Sequence, residues 1–416
     1  MSQKKIVVVG GGAGGMVAAI AAARENCKVI LLEAGDRVGK KILATGNGKC
    51  NFSNSDMRIR HYYGRDLRIP EKVLGSFGLQ ETLDFFGGLG MLVREKGGCL
   101  YPASEQASTV LDLLRMELDR CGVEVRCGAR VSRIIRAGKA FLVHMEADKT
   151  AGETGEKGIS CDRVILACGG CAAPKTGSDG SGFALAKGMG HSIVPAVPAL
   201  VQLRCREKDL KAVAGVRAQA DVRLLVDDRQ VSREQGELQL TDYGISGIVV
   251  FQLSRTAAYG LAEKKQVRAQ IDLLPDWEDK DFGPFIENRI RAFPDRTLEE
   301  WMTGVLNKKL IHYFIRLAGL KTNQLVRDTE VGRLEKLMWL CRKWTLQIEG
   351  TNSYDNAQTN AGGVPFGEVT EGLESRKMPG VYFAGEILDI DGKCGGYNLQ
   401  WAWSSGYTAG KNAAKG

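Results

Sequence analysis

Six residues near the N-terminus, Gly10-Gly-Gly-Ala-Gly-Gly15, have the spacing G-x-G-x-x-G. In this spacing Gly10 makes a tight turn, Gly12 lets the backbone approach a pyrophosphate, and Gly15 allows close helix packing. Ala13 and Gly14 begin the helix, whose N-terminus attracts negative phosphates. The motif therefore predicts that a dinucleotide binds at this turn.

An acidic residue follows at the distance that such a site requires. Glu33 lies 18 residues after Gly15, at the end of a second apolar run, and we expect it to bind the adenosine ribose and the adjoining Ala34 to contact the cofactor. A carboxylate here would repel a 2′-phosphate, so NADP is disfavoured at this site. The first motif leaves NAD and FAD open.

A second glycine-rich segment near the C-terminus favours FAD. Gly385 and Glu386 follow the apolar run Val381-Tyr-Phe-Ala, and Gly395-Gly396-Tyr397-Asn398-Leu399-Gln400 follows them. FAD needs a second anchoring segment for its ribityl chain and ring, which a simple NAD domain does not. Glu386 could accept a hydrogen bond from a ribityl hydroxyl, and a helix beginning near Asn398 could direct N–H groups at the flavin pyrimidine. The alternative is an ordinary strand, turn and helix.

The surrounding elements can position both motifs. Residues 5–9, 13–24 and 28–32 read as strand, helix and strand, which makes a βαβ unit and predicts a parallel sheet. Residues 162–167 and 380–384 are further buried strands, and 399–414 is compatible with a helix. Between them, 199–204, 217–226 and 267–273 alternate as antiparallel strands, and 297–317 and 330–344 are helical.

These patterns predict an α/β fold: a Rossmann-type domain with a parallel sheet, an inserted, mainly antiparallel β domain and a small helical subdomain. We place the FAD domain at residues 1–194 and 353–416. The inserted β domain takes 195–275 and 345–352, and the helical subdomain takes 276–344.

Composition excludes several classes. The net charge of +8 is scattered, without a basic stripe interleaved with aromatics, so we predict no nucleic-acid partner. No apolar run approaches the roughly 20 residues that span a membrane, and no signal-peptide pattern appears, so we expect a cytoplasmic protein.

The odd number of cysteines, 11, fits reduced thiols. Cys168 and Cys171 form a single CxxC, which lacks the second pair of a metal site, so we predict no metal; a structural role is favoured, and a redox dithiol stays open.

The chain resembles the bacterial BaiN/YhiN-like flavoproteins, which include aminoacetone-oxidase-like enzymes. The resemblance extends over nearly the whole chain and rests on the two glycine motifs together with Gly39-Lys-Lys41, Gly46-Asn-Gly-Lys-Cys-Asn51, Thr241-Asp-Tyr-Gly-Ile-Ser-Gly247, Ala384-Gly-Glu-Ile-Leu-Asp-Ile-Asp-Gly392 and the run up to Gly406. It implies an FAD domain, a barrel-like insert and a helical domain, with FAD bound tightly but not covalently.

The resemblance also implies further cofactor contacts. Lys41 and the loop Gly46, Asn47, Gly48, Lys49, Cys50 and Asn51 would lie along the pyrophosphate and flavin ring, and we add Val131, at the end of a predicted strand over 123–131. The family loop often carries glycine and arginine where this chain has Asn47 and Lys49, and the point charge of Lys49 cannot reproduce the bidentate contact of an arginine. Without the resemblance, Gly46-Asn-Gly48 is also compatible with a plain turn.

FAD would carry the redox chemistry, so the protein needs chiefly to orient a small-molecule substrate and to supply a proton. Tyr243 and Tyr397 are the candidate donors. No second dinucleotide motif is apparent, so NAD(P)H would bind transiently. By resemblance, reduction of a conjugated C=C in an oxo-steroid or bile acid is favoured over amine oxidation by O₂, and an FAD-dependent RNA-binding or tRNA-modifying protein is a third alternative.

Overall fold

The computed structural model describes residues 3–146 and 157–415. Its strands are β1 (Lys5–Val9), β2 (Lys28–Leu32), β3 (Ser53–Asn54), β4 (Tyr62–Tyr63), β5 (Val93–Lys96), β6 (Cys99–Pro102), β7 (Glu124–Arg126), β8 (Val131–Ala137), β9 (Ala140–Met145), β10 (Lys157–Cys161), β11 (Arg163–Leu166), β12 (Val194–Ala199), β13 (Leu203–Cys205), β14 (Arg217–Val226), β15 (Arg229–Leu240), β16 (Gly244–Ser246), β17 (Val267–Asp272), β18 (Trp344–Thr351), β19 (Thr359–Gly363), β20 (Val381–Phe383) and β21 (Asp391–Gly392). Its α-helices are α1 (Ala13–Arg24), α2 (Lys40–Ala44), α3 (Arg68–Ser76), α4 (Leu79–Gly88), α5 (Ala107–Arg120), α6 (Ser181–Gly188), α7 (Ile248–Ala262), α8 (Asp279–Ala292), α9 (Leu298–Met302), α10 (Lys308–Leu317), α11 (Val331–Arg342) and α12 (Tyr397–Lys415).

A five-stranded parallel sheet in the order β20-β11-β1-β2-β7 forms the centre of the first compact unit, residues 1–197 and 357–416. Its inner strands are continuous apolar runs because both faces of the sheet are covered. The sheet takes β1 from the start of the chain and β20 from near its end, paired through β11. The predicted Rossmann-type parallel sheet is confirmed.

Helix α1 is buried from Gly14 through Ala22. An alanine- and glycine-rich helix with so little polar surface must pack against other elements on more than one side. Here it packs against β1, β2 and α12. The side-chain ammonium of Lys4 donates to the carbonyl oxygen of Ala414 at 2.7 Å. The two ends of the chain therefore pack together within this unit.

Small antiparallel sheets complete the first unit: β10-β9-β8, β3-β6-β5, β21-β4 and β12-β19. The pairing of Tyr62 with Gly392 and of Tyr63 with Asp391 brings the β4 segment beside the loop that precedes α12. This pairing supplies side chains near one of the two predicted cofactor motifs.

The second unit, residues 198–356, contains a closed antiparallel barrel in the order β13-β16-β15-β14-β17-β18. Barrel residues such as Leu224 and Ile271 share one hydrophobic cluster with helical residues such as Trp301 and Phe314. The predicted antiparallel β insert and its helices are confirmed. The exact domain boundaries stay a prediction. Over residues 3–146 and 157–415, no helix combines the length and apolar character that crossing a bilayer would take.

Candidate cofactor and active site

The turn between β1 and α1 is held by backbone hydrogen bonds: the Gly10 N–H donates to the Leu32 carbonyl and the Gly39 N–H to the Gly11 carbonyl, both at 2.8 Å. A Cβ on Gly15 would lie 1.9 Å from the Gly10 oxygen, so the helix can start here only with glycine. Helix α1 has no side-chain cap and no acid in its first turn. Its first N–H groups are thus available to an anionic ligand, and a Cβ on Gly12 would meet no atom within 4 Å.

Glu33 is buried at the end of β2 and fixes this turn. Its two carboxylate oxygens accept hydrogen bonds from the Gly11 N–H at 2.8 Å and the Gly35 N–H at 2.7 Å. Each oxygen keeps a second lone pair for another donor, such as a ribose hydroxyl. Ala34 follows Glu33 in the loop, and its role as a cofactor contact stays a prediction.

Val131 belongs to β8 and not to the strand predicted over 123–131. Ala129 donates its backbone N–H to the Glu33 carbonyl at 2.9 Å, and Val131 follows as the first residue of β8. The expected strand over 123–131 is wrong, because β7 ends at Arg126 and a turn separates it from β8. The role of Val131 as a cofactor contact stays a prediction.

The two ends of the chain meet at Gly385, just after β20. Its N–H donates to the Ser405 hydroxyl at 2.8 Å, and its carbonyl accepts the Trp401 indole N–H at 3.1 Å. A Cβ on Gly14 would lie 3.5 Å from the Gly385 nitrogen. The structure therefore brings residues 10–15 and 385–400 together.

Lys41 and Glu386 form an ion pair beside this junction. The Lys41 Nζ lies 2.7 Å from the Glu386 Oε2, and both side chains are largely buried. The other oxygen of Glu386 accepts from the Thr359 hydroxyl at 3.1 Å. Thr359 was not anticipated from the sequence, because nothing in the run Thr359–Gly363 resembles a motif.

A second helix N-terminus lies at the start of α12. Gly396 has a φ of +95°, and a Cβ on it would lie 2.4 Å from the Ser53 carbonyl oxygen and 2.8 Å from the Asn51 Oδ1. That Asn51 oxygen is buried and has no hydrogen-bond partner among the described residues. It can accept a hydrogen bond from a ligand N–H, a group that the flavin pyrimidine possesses.

Asn398 shapes the loop before α12 with its side chain. Its Oδ1 accepts from the Gly392 N–H at 2.8 Å and its Nδ2 donates to the Gly392 carbonyl at 2.9 Å. The backbone N–H groups of Asn398 and Leu399 belong to the first turn of α12, which contains no acid. They are therefore suited to an electron-rich ligand edge.

The loop 46–51 divides into two parts. Gly46, Asn47 and Gly48 form a turn with positive φ, and the Lys49 ammonium lies 2.7 Å from the Glu105 carboxylate with the side chain half exposed. Cys50 is buried, and burial raises its pKa to about 11. Within this loop, the Asn51 side chain lies beside Gly396, which precedes α12, whereas Lys49 is paired with Glu105.

These features fit an elongated dinucleotide that carries an isoalloxazine. One uncapped helix N-terminus suits its phosphates, Glu33 suits its ribose, and the second helix N-terminus with Asn51 suits its pyrimidine. Which residues contact FAD stays a prediction.

Tyr397, the first residue of α12, packs against a cluster from the β4 segment. Its ring lies 4.9 Å from that of His61, and its carbonyl accepts the Tyr62 hydroxyl at 3.0 Å. Burial, and then the negative charge of Asp56, raise the pKa of Tyr397 to about 12. Tyr397 is thus a neutral phenol at neutral pH. The Nε2 of His61 lies 2.9 Å from the Asp56 carboxylate.

Tyr243 belongs to the second unit, between β15 and β16. Its hydroxyl accepts the Asn352 Nδ2–H at 3.0 Å, and the Arg204 guanidinium lies 5.6 Å from its ring centre. The two candidate proton donors are therefore in different units, and the role of each stays a prediction.

The Cys168–Cys171 loop is anchored by Asn360, whose Oδ1 accepts the Cys171 N–H at 2.8 Å. Burial raises the pKa of Cys168 to about 12, which disfavours the thiolate that redox exchange requires. In the part of the chain that the structure describes, no group of three or more His, Cys, Asp or Glu side chains could hold a metal ion.

Comparison with known proteins yields relatives that match over nearly the whole chain. A family model described as the HI0933-like protein Rossmann domain matches residues 4–412. A 3-dehydro-bile acid delta(4,6)-reductase from Clostridium scindens is 44% identical over 399 residues, which cover 95% of each chain. A ribosomal RNA dihydrouridine synthase from Escherichia coli is 28% identical over 396 residues, 94% of this chain and 93% of that protein. Among solved structures, 3-ketosteroid delta1-dehydrogenase from Sterolibacterium denitrificans covers all of both chains with a TM-score of 0.50 at 11% identity, a likeness of fold alone.

Proposed function

Because the chain belongs to the HI0933-like family, we propose that it is a cytoplasmic FAD-dependent oxidoreductase that reduces a conjugated C=C of an apolar enone, such as a 3-oxo bile acid or steroid, using NAD(P)H. The family predicted from the motifs is confirmed. The observation that carries the proposal is the 44% identity, over 95% of both chains, to a bile acid reductase. All eleven cysteines are free thiols, in keeping with a reducing compartment.

The residues of the first unit would hold the cofactor. The N–H groups at Ala13 and Gly14 would bind the pyrophosphate, Glu33 the ribose, and the start of α12 the pyrimidine. Lys41 and Glu386 would flank the ribityl chain. Bound FAD, once reduced, supplies the hydride. Tyr243 or Tyr397 would give the proton that completes the reduction.

A second candidate function follows from the ribosomal RNA dihydrouridine synthase relative. Dihydrouridine is uridine with two hydrogens added across a ring double bond that is conjugated to a carbonyl. The chemistry is therefore the same as in enone reduction, and only the substrate differs. The identity of 28% against 44% ranks this candidate second.

An anaerobic stopped-flow experiment tests the proposal. The purified yellow protein is mixed with NADH or NADPH, and the bleached protein is then mixed with a 3-oxo-Δ4 steroid or a uridine-containing ribosomal RNA fragment. In a separate arm, the oxidised protein is mixed with a small amine and no nicotinamide. We expect the nicotinamide to bleach the flavin and the steroid to restore its colour.

Recolouring by the RNA fragment alone would replace the steroid with the second candidate. Bleaching of the oxidised protein by the amine, without nicotinamide, would instead support an amine oxidase that uses O₂ and contradict the proposed direction of electron flow.

A further inference from the structure

A polar loop at residues 174–180 leads into α6 and lies beside the Glu33 carboxylate. Gly177, with a φ of +108°, comes so close that a Cβ on it would lie 3.5 Å from the Glu33 Oε1. At the end of the loop, the Gly180 N–H donates to the Gly170 carbonyl at 2.9 Å. A ligand hydroxyl bound to that Glu33 oxygen would therefore lie against this loop.

A second segment, residues 128–130, runs along the end of β2. The Gly128 N–H donates to the Gly35 carbonyl at 2.8 Å, and the Ala129 N–H donates to the Glu33 carbonyl at 2.9 Å. Arg130 comes next, immediately before β8. The segment that carries Arg130 is thus fixed to the backbone on either side of the candidate ribose-binding residue.

An ion pair joins the loop to this segment. The Arg130 Nη1 donates to the Asp179 Oδ2 at 2.8 Å, and the other oxygen of Asp179 accepts the Ser181 N–H at 3.0 Å. The hydrogen bond to Asp179 raises the pKa of Arg130. Burial alone would raise the pKa of Asp179, but hydrogen bonds from Ser181 and Arg130 outweigh it and lower that pKa. Both groups are therefore charged at neutral pH, and their hydrogen bond is charge-assisted.

We propose that the Arg130–Asp179 ion pair is a clasp that retains the adenosine half of a dinucleotide bound at Glu33. This inference rests on the proposed function, in which the dinucleotide is FAD. Breaking the pair releases the loop from the fixed segment, so FAD should leave faster. The two side chains are 38% and 30% exposed, and an ion pair so exposed contributes little to the stability of the fold.

Two variants remove the pair from opposite sides. Arg130→Met removes the cation, whereas Asp179→Asn keeps an oxygen for the Ser181 N–H and removes only the charge. We expect each to speed the release of FAD from the holoprotein about fivefold, and the double variant to release it no faster than either single variant. A simple attraction of Arg130 for the pyrophosphate predicts the opposite sign in Asp179→Asn, because that change leaves the guanidinium without its counterion.

The flavin that remains per chain after dilution and rapid gel filtration, followed over time, measures release. Circular dichroism of the same holoproteins checks that each variant is folded. Salt supplies a further readout, since it screens partly exposed charges. As the salt concentration rises, the wild-type release rate should approach that of Arg130→Met.

A second ion pair of the same unit is the matched control. The Lys411 Nζ lies 2.9 Å from the Glu25 Oε1, with both side chains 34% exposed, and Glu25 follows the C-terminal end of α1 rather than the glycine turn. Lys411→Met and Glu25→Gln should leave the release of FAD unchanged.

Three results would overturn the inference: unchanged release in Arg130→Met and Asp179→Asn, effects that multiply in the double variant, or an equal acceleration in Lys411→Met. Each of these would stand even if the holoprotein reduces the steroid. A holoprotein whose FAD release follows the expected pattern but which fails to reduce the steroid would overturn the proposed function alone.

Discussion

Lys41 and Glu386 are 345 residues apart in the sequence, yet their charged groups lie 2.7 Å apart beside the cofactor motifs. This ion pair links a side chain in the N-terminal part of the chain to one near its C-terminus. Removing one partner would leave the other charge largely buried and without its counterion, a cost of about 1–3 kcal/mol.

The first prediction concerns this pair. We expect Lys41→Met and Glu386→Gln each to lower the free energy of unfolding by about 1–3 kcal/mol, and the double variant to lose less than the sum. Urea titration of the four proteins measures the coupling. The exposed pair Lys72 and Glu371 is the control, and Lys72→Met should cost less than about 1 kcal/mol. Strict additivity at positions 41 and 386 would contradict the coupling.

His191 is a buried side chain that the cofactor motifs do not use. Its two ring nitrogens lie 2.8 Å from the Glu368 carboxylate and 2.7 Å from the Ser375 hydroxyl. Burial lowers the pKa of His191 from 6.5. Burial alone would raise the pKa of Glu368, but hydrogen bonds from Lys377 and Ser192 outweigh it and lower the pKa to about 2.

A pH dependence of stability follows. Both groups bind fewer protons in the folded than in the unfolded state, so their contributions are present at high pH. Stability falls as the pH drops below about 6.5 through His191 and below about 4.5 through Glu368. Between pH 7 and pH 5 we expect His191→Gln to lose less stability than the wild type, by on the order of 1 kcal/mol. Urea midpoints at the two pH values measure this, and identical pH slopes in His191→Gln and the wild type would refute it.

At the scale of elements, the first βαβ unit could be predicted to the residue. Residues 5–9, 13–24 and 28–32 are strand, helix and strand in the structure, because two buried apolar runs flank a glycine turn and an alanine-rich helix. Strand β15 was missed, since its sequence is polar and most of it is solvent-accessible. The run 297–317 contains two helices, α9 and α10, rather than one, because a turn through Gly304, with φ +86°, interrupts it.

Only those residues of the candidate site whose spacing in the sequence matches a known motif could be predicted. Glu33 followed from its distance to Gly15, and the C-terminal glycine segment followed from the demands of a longer cofactor. Asn51 was placed by resemblance, and its buried, unpaired oxygen became evident only in the structure. Thr359 depends on a tertiary contact that no local pattern encodes. Asp56 and His61 are joined by a local turn that matches no motif.

A matched pair of glycine variants tests the β1–α1 turn as an element. A Cβ at position 15 would collide with the Gly10 oxygen, so Gly15→Ala should displace α1 and lower the thermal midpoint or prevent folding. A Cβ at position 12 meets no protein atom, so Gly12→Ala should fold as the wild type but hold FAD less tightly. Circular dichroism and released flavin per chain are the measurements. Full flavin content in Gly12→Ala would argue that the cofactor lies elsewhere.

At the scale of the whole molecule, one unit is built from both ends of the chain and encloses the sequence of the other. Strand β20 and helix α12 complete a sheet and a core that residues 1–197 begin. The cofactor motifs both lie in this unit, whereas Tyr243 lies in the inserted one.

A crystal structure of the yellow protein as purified tests the central claim most directly. We predict continuous density for a single FAD, with its pyrophosphate at the N-terminus of α1, its ribose at Glu33 and its pyrimidine at the N-terminus of α12 beside Asn51. Flavin density outside this unit, or a smaller nucleotide that reaches only the β1–α1 turn, would contradict it.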